Sequence, residues 1–383
     1  MLQPIQSGID VFLPQVADYK NKRFALVTNN AATTSTGLLS RVALLQQGFN
    51  ICLLFSPEHG ISRLGEDGAP QANQTDSVTG LPIISLYGQK RKPTLADLAA
   101  IDEVIFDIPD VGCRFYTYLW TLTHVMQSCA QYHKPLIVLD RPNPIGTSLS
   151  MAEGPFLDEA NCASFIGRWS IPLRHSCTLG ELALYFAANR LHPFTVTVIP
   201  VFNYHRHTRR MVSFVPTSPA MLHLQTAMLY PGIGLLEGVN VNEGRGTATP
   251  FELCGAPWID KENLLQAWLT NNMAGISTVA ITFTPQDGIY AFEPCHGLEF
   301  SITNPHLLKP VAIGIALLQT LVQLYPQYLK ERPYPTAVNP NGTGHLDNLL
   351  GIQNAFEKIK AGQQIDTNTT PIWEQTMNEY LLY

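Results

Sequence analysis

Hydrophobic and polar positions follow two rhythms along the chain, and the change between them falls near residue 216. In the first part, short apolar runs alternate with stretches of helical spacing. Arg23–Thr28 reads as a strand, and residues 37–47 read as a helix because Leu38, Leu39, Val42 and Leu45 recur at helical intervals before Gly48 stops them. The run 51–55 is apolar without a break and rich in branched residues, the pattern of a strand buried on both faces, and it ends at Ser56 and Pro57. A polar, glycine-bearing loop spans 60–80, too long for a simple connection and therefore a lid or a site wall. Next come a short strand at 82–86, a helix over 95–100 capped by Thr94, and a buried strand at 103–108. An apolar helix through Leu119, Leu122, Val125, Met126 and Cys129 leads to the strand Leu136–Leu139. Thr178 and Glu181 have capping-box spacing for a helix to about Asn189, and 195–201 closes the sheet. Strands separated by helices at this spacing predict right-handed crossovers and a parallel sheet.

Beyond the proline-bearing stretch 215–219 the alternation is lost. A helix near 222–229, a loop at 234–252, a helix from Asp260, strands at 277–283 and 297–303, a helix at 311–325 and a helical tail make an α+β arrangement. The fold predicted is α/β: a Rossmann-like parallel-sheet domain over residues 1–216 and a smaller α+β domain over 217–383 that completes the site.

The polar residues gather where strands end. In an open α/β sheet the loops at the carboxyl ends of the strands form the ligand crevice. Asn30 follows the first strand, Glu58 and His59 follow the second, and Asp107, Asp110, Arg114 and Tyr116 crowd one strand-to-helix junction. Asp140, Arg141 and Asn143 come straight after Leu136–Leu139, and Arg174 and His175 precede the next helix. Each cluster alone could be a solvated turn; an acid and an imidazole delivered to a shared rim could do proton chemistry. In the second domain the run 236–247 has three glycines and carries Asn240, Glu243 and Arg245, which either close a site between the domains or merely pair with one another.

Composition narrows the field. With 383 residues, 45% hydrophobic and 14% charged, the chain is globular, and a net charge of −6 gives no basic footprint for nucleic acid. No window reaches the roughly 18 apolar residues of a membrane span, and residues 1–11 lack a charged region followed by an apolar core. A cytoplasmic protein is expected from the chain as it stands, or a periplasmic or secreted one if a leader has been removed. Seven scattered cysteines without a Cys-x-x-Cys pair argue for free thiols in a reducing compartment and against a zinc site. No Gly-x-Gly-x-x-Gly follows the first strand and no Gly-Lys-Ser/Thr loop occurs, so neither a dinucleotide cofactor nor a phosphate-cradling loop is expected.

Four stretches carry a resemblance. Phe55-Ser56-Pro57-Glu58-His59-Gly60, the Asp-x-x-Asp-Val-Gly-x-Arg-Phe-Tyr-Thr-Tyr run from Asp107, Asp140-Arg141-Pro142-Asn143-Pro144, and Glu237 through Thr247 with Pro250-Phe251-Glu252 resemble the NamZ-like exo-β-N-acetylmuramidases, long catalogued as a domain of unknown function. The likeness keeps the same order over nearly the whole chain, down to the closing Tyr380-Leu381-Leu382-Tyr383. It implies a Rossmann-like N-terminal domain, a smaller C-terminal domain and removal of terminal N-acetylmuramic acid from peptidoglycan-derived glycans; no cofactor and no metal are expected. Two departures bear on substrate preference: Pro109 stands where members usually have Gln, and Ser176 where they usually have Gly.

Glycoside hydrolysis commonly needs a protonated carboxyl to assist the leaving oxygen and a second group as nucleophile or water activator. Glu58 is the candidate acid, with Asp107 and Asp110 as the neighbours that would raise its pKa, Asp110 as the second catalytic carboxylate, and His59 to orient or relay. The acetamide of an N-acetyl sugar offers a further route. Arg114, Arg141, Arg174 or Arg245 could grip the lactyl carboxylate of muramic acid, and Tyr116 and Tyr118 either face the sugar or pack in the core. Two rivals stand beside this reading. Asp107, Asp110, Asp140, His59 and His175 could gather a divalent metal for hydrolysis, or the protein could bind glycans without turnover.

Overall fold

The computed structural model describes residues 4–69, 72–206 and 214–383. Strand β1 (Arg23–Thr28) lies between β2 (Asn50–Ser56) and β5 (Glu103–Asp107), and the sheet extends through β4 (Pro82–Ser85) and the two-residue β3 (Gln74–Thr75) on one side and β6 (Leu136–Leu139) and β7 (Thr197–Ile199) on the other. All pairings are parallel except β3 with β4. The six parallel strands thus stand in the order third, second, first, fourth, fifth, sixth, the doubly wound Rossmann arrangement. The unbroken apolar runs have their reason in this position. Ala25, Val27, Leu53, Phe55, Val104 and Phe106 feed one core, while Phe24, Leu26, Leu54 and Ile105 feed the other.

Differences from the sequence expectation are local. The helix predicted over 37–47 begins only at Ser40, because Gly37 takes a φ of 84°. The helix predicted over 95–100 is a single turn, Leu95–Leu98, with Thr94 as its cap.

The second part is a three-stranded antiparallel sheet, β8 (Leu253–Ala256), β9 (Ile276–Phe283) and β10 (Cys295–Ile302), in the order β8-β10-β9, with helices beside it. Among these, β8 was not anticipated: four residues with a central Cys-Gly show no alternation to read. The helices Leu224–Ile233 and Pro310–Leu324 cross in close contact, since a Cβ on Gly232 would fall 1.9 Å from the carbonyl oxygen of Pro310. The tail returns to the first domain, where Trp373 donates to the carbonyl of His175 and the Tyr383 hydroxyl reaches Asp140. No described helix is long and apolar enough to cross a membrane.

Candidate active site

The end of β2 builds the centre of the site. Pro57 stops the strand, and Glu58 turns into the protein, 5% exposed. Its Oε1 accepts the Gly68 N–H at 3.0 Å, and its Oε2 accepts the Thr117 hydroxyl at 2.7 Å from the first turn of the helix Thr117–Gln131. Burial and then the charge of Asp67 push the Glu58 carboxyl above its ordinary range, against the pull of His59, Thr117 and Tyr87. This placement favours the protonated form more than water would.

His59 follows with a left-handed φ of 66°. Its Nδ1 lies 2.8 Å from the carbonyl oxygen of Gly65, which can only accept, so Nδ1 carries a hydrogen. Its Nε2 stands 3.9 Å from Asp67 Oδ1.

Asp67 comes from the loop after β2 and is held from the second domain. Its Oδ2 accepts the Tyr334 hydroxyl at 2.5 Å and lies 3.5 Å from Arg245 Nη2. Burial works to raise its pKa, but the Arg245 guanidinium, His59, Tyr334 and His345 outweigh it and hold Asp67 below the usual carboxylate range. Arg245 is itself fixed: Nε and Nη2 donate to Glu237 Oε1 at 3.1 and 2.7 Å, Nε is 3.3 Å from Glu243 Oε1, and the guanidinium lies 5.0 Å above the Phe251 ring. The other Glu237 oxygen is 3.7 Å from His345 Nε2, and that imidazole stacks on Tyr334. Tyr87, Tyr116, Tyr230 and Met221 complete the cavity wall.

Of the residues singled out from sequence, Glu58, His59, Tyr116 and Arg245 line this one cavity, and Glu243 supports it from behind. Tyr118 is fully buried and donates to the Thr217 carbonyl, so its role is packing. Others lie elsewhere, each for a visible reason. Asp110 lines a separate crevice at the ends of β1, β5 and β6 and is paired with His175 Nε2 at 3.3 Å, so it is not the partner of Glu58. Asp107 forks with Arg141, whose Nη2 also serves Thr33 and Ser40; this holds loops together and leaves neither group in the Glu58 cavity.

Arg114 is fully buried and donates to the carbonyls of Pro155, Ile171 and Leu349, and burial lowers it to about 10. Arg174 is spent in the same way on Leu308 and Ile145. Asp140, raised by burial to about 6, accepts from Thr178, Gly180 and Tyr383. Asn143 bridges Ile145 and Cys177, Asn240 bridges Tyr328 and Lys330, and the Asn30 amide bonds the Ile61 carbonyl. The two arginines and Asp140 are structural, a correction to their reading as substrate ligands.

Sequence reasoning missed Asp67, Tyr87, Glu237 as an anchor, Tyr334 and His345. The available signal was the loop 60–80, whose excess length marked it as a site wall without singling out Asp67. The five-residue metal set is not assembled either: among the described residues the group with metal-ligand spacing is Glu58, His59 and Asp67.

A carboxyl pushed above its ordinary range beside one held below it, in a cleft between an α/β domain and a smaller partner, matches the arrangement of two-carboxyl glycoside hydrolases. The chain belongs to the NamZ family: the model for "Exo-beta-N-acetylmuramidase NamZ, N-terminal" matches residues 24–225 and that for the C-terminal part matches 228–383. It is similar to the peptidoglycan beta-N-acetylmuramidase NamZ of Bacillus subtilis (strain 168), 36% identical over 395 residues that cover 99% of this chain and 91% of that protein. Among solved structures it resembles two DUF1343 family proteins of Bacteroides fragilis. One has a TM-score of 0.87 at 26% identity, covering 99% of both chains. The other has a TM-score of 0.72 at 30% identity, covering 100% of this chain and 99% of that one.

Proposed function

We propose that the protein is an exo-β-N-acetylmuramidase that releases terminal N-acetylmuramic acid from peptidoglycan-derived glycans, with Glu58 as general acid and Asp67 as the ionised partner. The observation that carries this is a pair of carboxyl groups with oxygens within 4.8 Å of each other, one displaced above its ordinary pKa by burial and the other held below it by Arg245. Glu58 gives its proton to the glycosidic oxygen as the bond breaks. Asp67 faces the positive charge that grows at the sugar carbon, either attacking it or holding the substrate's acetamide as it attacks. A separation within 4.8 Å is nearer the about 5–5.5 Å of retaining pairs than the about 6.5–9.5 Å of inverting ones, which supports retention of configuration.

Both family departures lie away from the pair. Pro109 lines the crevice shared with Asp110, and Ser176 is buried. Neither touches Glu58 or Asp67, so catalysis without turnover loss is consistent with them. The test is a defined MurNAc-GlcNAc disaccharide followed by proton NMR. Release of both sugars, with the β-anomer of MurNAc appearing first, is expected. Intact disaccharide after long incubation would overturn the activity, and a first-formed α-anomer would overturn the pairing.

A further inference from the structure

The absence of paired cysteines disfavours a cysteine-bound zinc, but it does not reach a site made of imidazole and carboxylates. One ring nitrogen of His59 and one oxygen each of Glu58 and Asp67 lie within 4.8 Å of one another. His59 is 5% exposed, and its Nδ1–H is fixed on the Gly65 carbonyl, the outer contact that orients metal-bound histidines, with Nε2 facing Asp67 Oδ1 at 3.9 Å. Asp67 Oδ1 is the oxygen that Tyr334 does not use. Tetrahedral zinc at bonds of about 2.0–2.1 Å needs donors about 3.3 Å apart. The His59 to Asp67 separation of 3.9 Å must close by about 0.6 Å and the widest of the three pairs, within 4.8 Å, by up to about 1.5 Å; Asp67 lies on the loop between β2 and β3, outside any strand or helix.

We propose that Glu58, His59 and Asp67 form a zinc site inside the active cavity, and that a zinc-class cation inhibits the enzyme by occupying its acid and its carboxylate together. The ion and the sugar claim the same oxygens, so binding of one excludes the other. Nitrogen and oxygen donors with a coordination position left to water suit Zn²⁺, whereas Mg²⁺ demands six oxygens in near-octahedral order and gains little from imidazole.

The metal site is independent of the proposed reaction; only its inhibitory effect rests on it, and the experiment keeps the two apart. Chelator-stripped, full-length protein is titrated with ZnCl₂ by calorimetry. One equivalent should bind, MgCl₂ should not compete, and His59→Gln and Asp67→Asn should each weaken zinc by at least about tenfold. Thermal unfolding in chelator checks that both variants are folded. Zinc binding unchanged in both folded variants, or Mg²⁺ binding as tightly, would overturn the site. In the second arm, hydrolysis of the MurNAc-GlcNAc disaccharide is followed against zinc. A rise in KM at constant kcat, reversed by chelator, is expected; stimulation by zinc, or a fall in kcat at constant KM, would overturn the inhibitory role. Should the disaccharide not be cleaved at all, the proposed function fails while calorimetry still decides the metal site.

Discussion

Removing Arg245 should unsettle three acids at once. The guanidinium is shared by Glu237, Glu243 and Asp67, and the first two have side chains only 6% and 2% exposed. In Arg245→Ala, Glu237 keeps His345 at 3.7 Å and Glu243 keeps Arg332 at 3.8 Å, both beyond hydrogen-bond distance. Leaving buried carboxylates without their main partner costs about 3–5 kcal/mol, which for a chain of 383 residues lowers the melting temperature by about 4–6 °C at neutral pH.

The loss carries a pH signature. In the native protein Glu237 is held below its ordinary pKa, because Arg245 and the His345 contact outweigh burial. Its contribution is therefore present above the unfolded pKa and fades as pH falls. Without Arg245, burial lifts Glu237 above its unfolded value, and Glu243, already raised by burial, rises further. The penalty is then absent below the unfolded carboxylate pKa and grows as pH rises through the raised values. Both effects widen the gap between the two proteins from pH 4.5 to 7.5, which calorimetric melting at those two values measures. Equal gaps would refute the reasoning. Activity gives a second reading: because Arg245 charges Asp67, kcat should fall alike on muramic acid and N-acetylglucosamine glycosides. A loss confined to muramic acid would instead mean that Arg245 reads the lactyl carboxylate.

Glu58→Gln should stay folded, since an amide oxygen can still accept from Gly68 or Thr117, while turnover falls at least about a hundredfold; near-normal turnover of the purified variant would remove Glu58 from the mechanism. The wild-type rate should decline as pH rises through the raised Glu58 pKa, and Asp67→Asn, by deleting the neighbouring charge, should move that limb to lower pH as well as cutting kcat/KM. An unmoved limb would separate the two groups. Ser176 has a φ of 52° and a buried hydroxyl without a partner, so Ser176→Gly should stabilise by about 1 kcal/mol after the entropy of the unfolded glycine is subtracted; urea denaturation showing a loss would contradict this.

How far the sequence carried can be read from particular residues. Glu58 was legible because an apolar run that stops at a proline places the next residues at a strand end, whatever the rest of the chain does. Asp67 was not, because a polar loop has no periodicity and its acids look alike until a partner from another domain selects one. Arg114 and Arg174 misled for the opposite reason. Charges beside strand ends look like ligands, yet these two spend their donors on backbone carbonyls, which leave no mark in the sequence. The sheet order followed from alternation, whereas the four-residue β8 had too few positions to show any.

The tether from Tyr334 to Asp67 runs across 267 positions of chain. During synthesis the α/β part, with Glu58 already in it, emerges first. At that stage Asp67 is an ordinary solvated aspartate, lacking the guanidinium and phenol that fix its charge and place. The catalytic pair is therefore complete only once Arg245 and Tyr334 have emerged and docked on the first domain.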